Sequence, residues 1–269
     1  MDGTGEMAGD ATGDREALVA VVERVAALGP FFGFGTHPDG ARPALPWRPM
    51  AELAEDPAVL RERAEAVRGY LAAGAGRRPE ALELRVGASV AQLGLAARLL
   101  SPAVGFAALH GGALVAGLDE LWWQPVLGGG FPLSLPERAV ADALRGADQG
   151  PALVGAALGA GLLEGPVRAV LEAAAGLSVS RRVLWGNVAS AVNGAAAALA
   201  ATAPGPVAAR GRALAGVLLR QPALRDAALS GPGGFRRRSC CLIYRAAGDP
   251  AGPASLCGDC VLAGRPAAR

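Results

Sequence analysis

Four cysteines near the C-terminal end constrain this chain more than any other feature of its sequence. All of them lie in residues 239–260, SCCLIYRAAGDPAGPASLCGDC, and the rest of the 269-residue chain has none. Cys240 and Cys241 are adjacent, whereas Cys257 and Cys260 form a Cys-x-x-Cys turn in which Gly258 permits tight backbone folding. The Gly/Pro/Ala-rich segment between the pairs is a loop that can bring them together. Four thiolates suit either zinc or an iron–sulfur cluster.

Three types of site compete for these cysteines. A structural zinc usually takes its ligands from two separate Cys-x-x-Cys motifs, and neighbours in an extended chain point to opposite faces. A [2Fe–2S] cluster has two irons, so a vicinal pair can reach different parts of it, and the spacing favours the cluster over zinc. Disulfides rank third, because a bond between sequence neighbours strains the peptide.

The N-terminal residues bear on the compartment. Residues 1–13 are acidic and Gly-rich, with no basic region followed by an apolar one, so we expect a disordered tail without a signal peptide. A cytoplasmic location would keep the thiols reduced. The formal net charge is only +2 and all 26 basic residues are arginine, so the surface as a whole has no strong attraction for nucleic acid.

Hydrophobic spacing predicts a mainly α fold. A helix begins at Asp14, a second is capped by Asp56, and a third ends near Pro102. Residues 113–136 contain short apolar runs and a Gly-rich turn, which predict a small central β-hairpin or meander. Helical spacing then returns from residue 136 to residue 230.

Three regions follow from this pattern. Residues 1–13 are the tail, residues 14–235 are a mainly helical substrate-binding body, and residues 236–269 are a C-terminal Cys-rich, cluster-binding segment. Within that last segment, Leu242–Tyr244 is expected to form a further short strand.

Two uncharged stretches are long enough to cross a bilayer, residues 99–118 and residues 183–209. Serine, proline, histidine and asparagine residues lower their hydrophobicity. We therefore interpret both as buried core of a soluble protein, with peripheral contact at the inner face of the cell membrane as a further expectation.

Several polar and aromatic residues outside the cysteine motif have two interpretations each. Trp122-Trp123 offers a flat wall to a ligand, although core packing is the commoner role of such a pair. Asn187 lies in an Ala-rich helix, where hydrogen bonding between helices is favoured over ligand binding. His37 and His110 are the two histidines, and neither is assigned to a metal. No residue is assigned to substrate binding.

Arg236-Arg237-Arg238 immediately precedes the first cysteine pair. One interpretation is a solvated basic stretch. The other is electrostatic, because thiolates around two ferric ions carry net negative charge that reduction increases, and nearby cations would stabilise the reduced form. The same arginines could dock an acidic electron donor.

The sequence RRRSCCLIYR followed by CGDC resembles the ferric-siderophore reductase family, the FhuF-like (2Fe-2S)-binding proteins. Softer similarities lie in ARLLSPAVGFAALHG, LWWQPVLGGGFPLSLP and LWGNVASAV. The segment between the two pairs is longer than is usual in the family, which implies a larger loop beside the cluster. By position, the resemblance implies that the ligands are Cys240, Cys241, Cys257 and Cys260.

The resemblance also implies an activity: one-electron reduction of Fe(III) in a siderophore through a [2Fe–2S] cluster, with release of Fe(II). An external donor, a ferredoxin- or flavin-type reductase, would supply the electrons, since no dinucleotide fingerprint or P-loop is visible in the sequence. Two alternatives remain: a non-catalytic binding protein stabilised by a zinc ion on the four cysteines, and a siderophore-binding relative without redox activity.

Overall fold

The structure is a computed structural model that describes residues 6–231, 234–247 and 256–263, with side chains of the first helix described from Arg15 onward. The α-helices are α1 (Glu6–Ala26), α2 (Glu52–Glu55), α3 (Pro57–Gly74), α4 (Leu84–His110), α5 (Glu137–Arg145), α6 (Pro151–Leu158), α7 (Arg168–Ala175), α8 (Arg181–Thr202) and α9 (Gly205–Leu219). The strands are β1 (Gly35–His37), β2 (Arg48–Pro49), β3 (Trp122–Trp123), β4 (Leu133–Pro136), β5 (Ala228–Gly231) and β6 (Gly234–Arg237). A π-helical turn, Gly159–Val167, joins α6 to α7. The predicted mainly α architecture is confirmed.

Helix α4 is the centre of the molecule. It packs against α3, α8 and α9, and most of its side chains between Val86 and Ala108 are buried. The sequence placed its end near Pro102, which was wrong, because the helix continues to His110 and ends at Gly111 in the left-handed conformation. Proline removes one N–H from the hydrogen bonds of a helix, which usually ends or kinks it. Here Pro102 is buried within α4, because neighbouring elements enclose this part of the helix.

Within the described ranges, three helical segments are long and apolar enough to cross a membrane by length and composition: Leu84–His110, Pro151–Ala175 and Arg181–Thr202. In Leu84–His110, 78% of the most apolar window is buried inside the protein. Much of this hydrophobicity therefore serves the protein's own core, as the sequence predicted for residues 99–118 and 183–209.

A small mixed sheet covers one part of the helical core. Its strand order is β1-β4-β3-β2, with β1 parallel to β4 and the other pairs antiparallel. The predicted central hairpin corresponds to β3 and β4, and it is confirmed. The sequence missed β1 and β2, since strands of two or three residues in a Pro/Gly-rich region leave no periodic pattern.

The arginine side chain of Arg98 fixes this sheet region to α4. It is almost fully buried and donates to the carbonyl oxygens of Phe131 (2.9 Å), Phe31 (2.6 Å) and Gly33 (2.8 Å). Three loop carbonyls that would otherwise lack partners are thereby satisfied from one helix.

A second hairpin leads into the cysteine segment. Strand β5 pairs with β6 so that Ala228 lies opposite Arg237. The sequence had extended helical structure to residue 230, whereas α9 ends at Leu219. It had also predicted a strand at Leu242–Tyr244, which is wrong: Leu242 has a φ of 70° and starts a 3₁₀ turn over Ile243–Ala246.

The N-terminal helix begins at Glu6, earlier than the predicted start at Asp14. Of the predicted disordered tail, residues 1–5 lie outside the described residues. The predicted division between body and cysteine segment at residue 236 stays a prediction, and strand β6 runs across it.

Candidate metal centre

The first cysteine pair is held against the N-terminal turns of α4 and α8. Ser239 Oγ donates to the carbonyl of Arg182 on α8 (3.0 Å), and Ser89 Oγ on α4 donates to the carbonyl of Cys241 (2.8 Å). Ser239 and Ser89 are both buried. Two side-chain hydrogen bonds thus anchor the backbone on either side of Cys240.

The second pair forms a tight turn. The backbone N–H of Cys260 donates to the carbonyl of Cys257 (3.1 Å). Between them, Asp259 accepts a backbone hydrogen bond from Arg237 through its carbonyl (3.1 Å), and its carboxylate accepts one from Asn193 on α8 (3.4 Å). The turn is therefore attached to both β6 and α8. The larger loop expected between the two cysteine pairs includes residues 248–255, which lie outside the described residues.

The fold brings the two cysteine pairs together. The sulfur atoms of Cys241 and Cys257 are 3.4 Å apart, and all four cysteines are free thiols. Cys241 and Cys260 are buried, while Cys240 and Cys257 are half-buried. Among the residues that the structure describes, no group of three or more Cys, His, Asp or Glu side chains converges on a single metal-ion position.

Backbone N–H groups point at two of the sulfurs. Leu242 donates to Cys240 Sγ and Leu262 donates to Cys260 Sγ, each at 3.3 Å. In both cases the donor follows its cysteine by two residues, so each half of the motif folds its own backbone around a sulfur. Hydrogen bonds of this kind stabilise thiolates and help to set the potential of thiolate-bound clusters.

Contacts between the thiols determine which of them ionises first. Hydrogen bonds with Cys240 and Cys257 hold the pKa of Cys241 far below its usual range, with nearby Arg237 acting in the same direction. The pKa values of Cys240 and Cys257 are raised, first by their hydrogen bonds to Cys241 and then by burial. A thiolate flanked by two thiols is a donor set that would release its remaining protons on binding a metal.

Arg237 brings a buried positive charge to these thiols. Its side chain is 1% exposed, and Nη2 donates to Asn187 Oδ1 (2.6 Å) and to the carbonyl of Val183 (3.1 Å). Burial lowers the pKa of Arg237, whereas the charge of the neighbouring cysteine segment, Cys241 first, opposes that shift. Because a buried cation is costly without anionic neighbours, the donor set and its surroundings fit an anionic, thiolate-bound metal group.

Asn187 links this cation to α4. Its Nδ2 donates to the carbonyl of Ser89 (2.9 Å) and to Gln92 Oε1 (2.9 Å) while its Oδ1 accepts from Arg237. Since Ser89 also donates to Cys241, one buried network connects α4, α8, β6 and the first cysteine pair. The predicted role of Asn187 in hydrogen bonding between helices is confirmed.

Gly186 makes the close approach of β6 to α8 possible. A Cβ atom at this position would overlap Ser239 Oγ and lie 2.9 Å from Arg237 Nη2. The sequence analysis missed Gly186, Ser89 and Gln92 as parts of the site. The one signal for them was their position, as small or uncharged polar residues in helices otherwise rich in Ala, Val and Leu.

The three consecutive arginines have different environments, which the sequence did not distinguish. Arg236 and Arg238 are exposed, in keeping with a solvated stretch, and Arg237 is buried beside the thiols. Strand geometry explains the difference between Arg236 and Arg237, because successive side chains of β6 point to opposite faces.

The other candidate residues lie in the helical and sheet core. Trp123 is 1% exposed and stacks edge-on against Phe131, which is a core role, while Trp122 is half-buried. His37 Nδ1 is hydrogen-bonded to Ser134 Oγ at 2.8 Å. His110 packs against the ring of Phe106.

Residues 237–262, which contain all four cysteines, match the family model described as the FhuF 2Fe-2S C-terminal domain. The predicted family resemblance is confirmed for this segment, and the softer similarities between residues 97 and 192 stay predictions. The match begins at Arg237 and includes both anchored cysteine pairs, and a 2Fe-2S domain supports iron–sulfur binding and a redox role for this part of the chain. Neither the curated proteins nor the solved structures contain a match to the chain.

Proposed function

We propose that the protein is a ferric-siderophore reductase, which transfers one electron to Fe(III) in a siderophore and releases Fe(II) in the cytoplasm. The observation that carries the proposal is the arrangement of the FhuF-type segment. Two cysteine pairs separated in sequence are anchored side by side on α4 and α8, next to a buried arginine. Cys240, Cys241, Cys257 and Cys260 would hold the cluster.

A [2Fe–2S] cluster supplies a one-electron couple when bound. The residues of this chain contribute a largely buried environment, N–H donors to sulfur, and the positive charge of Arg237. No acid, base or nucleophile is needed for the reaction itself. Hard oxygen ligands hold Fe(III) more tightly than Fe(II), so a single electron weakens the chelate and lets the iron leave.

Electrons would come from a ferredoxin- or flavin-type reductase. Exposed Arg236 and Arg238 flank the buried Arg237 where β6 ends and the cysteine segment begins. They offer positive charge to an acidic donor. Attraction of this kind weakens as ionic strength rises. Peripheral contact with the inner membrane face stays a prediction, for which fractionation of cell membranes is the test.

The decisive experiment begins with anaerobic purification. We expect brown protein with iron and acid-labile sulfide, and an EPR signal on reduction. The reduced protein should then be reoxidised by a ferric hydroxamate siderophore, with Fe(II) captured by a ferrous chelator in equal amount to the electrons lost. Cys241→Ser should abolish the colour and the reaction while far-UV circular dichroism stays helical.

Two results would replace this proposal. Colourless protein that contains zinc would favour the non-catalytic protein with zinc on its four cysteines. A chain in which all four cysteines are serine, but which still binds the siderophore with unchanged affinity, alongside an inert wild type, would favour a siderophore-binding relative.

A further inference from the structure

Arg237 has features that the ligand set alone does not require. It is among the largest fully buried side chains of the described residues, together with Arg98 and Trp123. The guanidinium of Arg98 donates hydrogen bonds to three loop carbonyls. Arg237, by contrast, donates two hydrogen bonds from Nη2 to acceptors on α8. Its Nε is buried without an acceptor in the described part of the chain.

The titratable groups whose ionisation would stabilise the charge of Arg237 all belong to the cysteine segment. They are Cys241, Cys257, Cys240 and Asp259. The side-chain hydrogen bonds of Arg237 among the described residues go to the Val183 carbonyl and to Asn187, and neither acceptor is a carboxylate. The carboxylate of Asp259 accepts from Asn193 instead. A full positive charge in a dry site therefore has the thiols as its principal compensation.

The position of this charge is fixed by neighbouring groups. Asn187 Oδ1 holds Nη2 at 2.6 Å, and the Nδ2 of the same amide is anchored on Ser89 and Gln92. Gly186 leaves the space in which the guanidinium lies against α8. The backbone N–H of Arg237 is bonded to Asp259 in the Cys257–Cys260 turn. The chain thus fixes the cation relative to both cysteine pairs.

We infer that the charge of Arg237 raises the reduction potential of the group bound by the four cysteines. Asn187 is the positioning residue that holds Arg237 in place for this purpose. The inference rests on the cluster of the proposed function. Reduction adds one negative charge to that group, and a fixed, buried cation stabilises the added charge more than an exposed one, because neither water nor salt screens it.

The test is the midpoint potential of the anaerobically purified full-length protein, from a redox titration followed by visible absorption and EPR. In Arg237→Gln the equilibrium constant for reduction should fall about tenfold, which is about 59 mV for a one-electron couple. Arg237→Lys keeps the charge and should shift the potential less. Arg236→Gln, on the exposed face of the same strand, is the matched control and should leave the potential at the wild-type value.

The midpoint potential at high ionic strength and the midpoint potential of Asn187→Ala are two independent tests. The difference between wild type and Arg237→Gln should persist at high ionic strength, where an exposed charge would be screened. Asn187→Ala leaves every arginine and cysteine in place and should lower the potential by less than Arg237→Gln. If Arg237→Gln does not retain the cluster, Asn187→Ala is compared with wild type: a lowered potential supports the inference and an unchanged potential overturns it.

The alternative is that Arg237 serves only to hold β6 on α8. In that case Arg237→Gln or Asn187→Ala lowers the melting temperature but leaves the potential unchanged, and the inference is overturned. It is also overturned if Arg237→Lys shifts the potential as far as Arg237→Gln, or if the wild type holds no redox-active iron. A shifted potential in protein that does not reduce siderophores would support the role of Arg237 and reject the proposed substrate.

Discussion

Gly186→Ala tests the packing that places the cysteine segment on α8. In an open helix position, alanine is more favourable than glycine by about 0.5–1 kcal/mol. At residue 186, however, the new methyl group would overlap Ser239 Oγ and lie 2.9 Å from Arg237 Nη2. To remove this overlap, Ser239 must break its hydrogen bond to the carbonyl of Arg182, which costs about 1 kcal/mol. The strand β6 must also move away from the helix.

Overpacking of this kind costs about 1–3 kcal/mol. We therefore expect Gly186→Ala to be destabilised by about 1–2 kcal/mol after the gain in helix propensity. For a chain of this size the thermal midpoint falls by about 2–4 °C for each kcal/mol. The assay is anaerobic thermal unfolding by far-UV circular dichroism, together with the iron content of the purified protein, which should also fall.

Gly194→Ala is the control, because it lies on the same helix and its Cβ would meet no atom within 4 Å. That variant should gain only the higher helix propensity of alanine. It should therefore melt slightly above wild type, with full iron content. Equal midpoints and equal iron content in the two variants would refute the argument that β6 requires a bare backbone at residue 186.

Two further predictions concern the body of the protein. Arg98→Met leaves a buried guanidinium site empty and removes the donor from three carbonyls, of which that of Phe131 is buried. It should lower the free energy of unfolding by about 3 kcal/mol in a denaturant titration. Arg61→Met on the exposed face of α3 should have no effect, and equal losses in the two variants would contradict the assigned role. Burial lowers the pKa values of His37 and His110, with Asp39 and Glu137 partly opposing the shift at His37. The unfolded chain then binds more protons, so stability should be complete above about pH 6.5 and fall as the pH drops towards the folded-state values. His37→Asn should flatten this dependence, and an unchanged profile in that variant would exclude His37 as its source.

The sequence predicted the features that depend on local pattern. Asp56 accepts the backbone N–H of Ala58 at the start of α3, as its position before Pro57 indicated, and Trp122-Trp123 forms a strand of the central sheet. Patterning failed where tertiary contacts override propensity. Pro102 lies within α4 because the surrounding helices enclose that position, which sequence spacing does not reveal.

The candidate site also combines features that the local sequence predicts with features that only tertiary contacts determine. The spacing of the cysteines was sufficient to predict that the two pairs meet, as the contact between Cys241 and Cys257 shows, and their binding of one metal group stays a prediction. Nothing local separates Arg237 from Arg236 and Arg238. Their difference arises from the register of β6 against β5 and from its contact with α8. Asn187 and Ser89 are 98 residues apart in the chain, so only the fold shows that they support the same cysteine.

The hydrogen bond from Ser89 to the Cys241 carbonyl has a consequence for the life of the protein in an iron-poor cell. Without bound metal, the buried charge of Arg237 has only the thiols and Asp259 as compensation, and Asn187 connects that charge to the N-terminal turns of α4 and α8. Amide hydrogens in those turns should exchange faster in metal-free protein than in holoprotein, while those near the far end of α4 stay protected. Proteases that attack opened segments would then remove the empty form first, so the amount of this protein would follow the supply of the metal that its cysteines are proposed to bind.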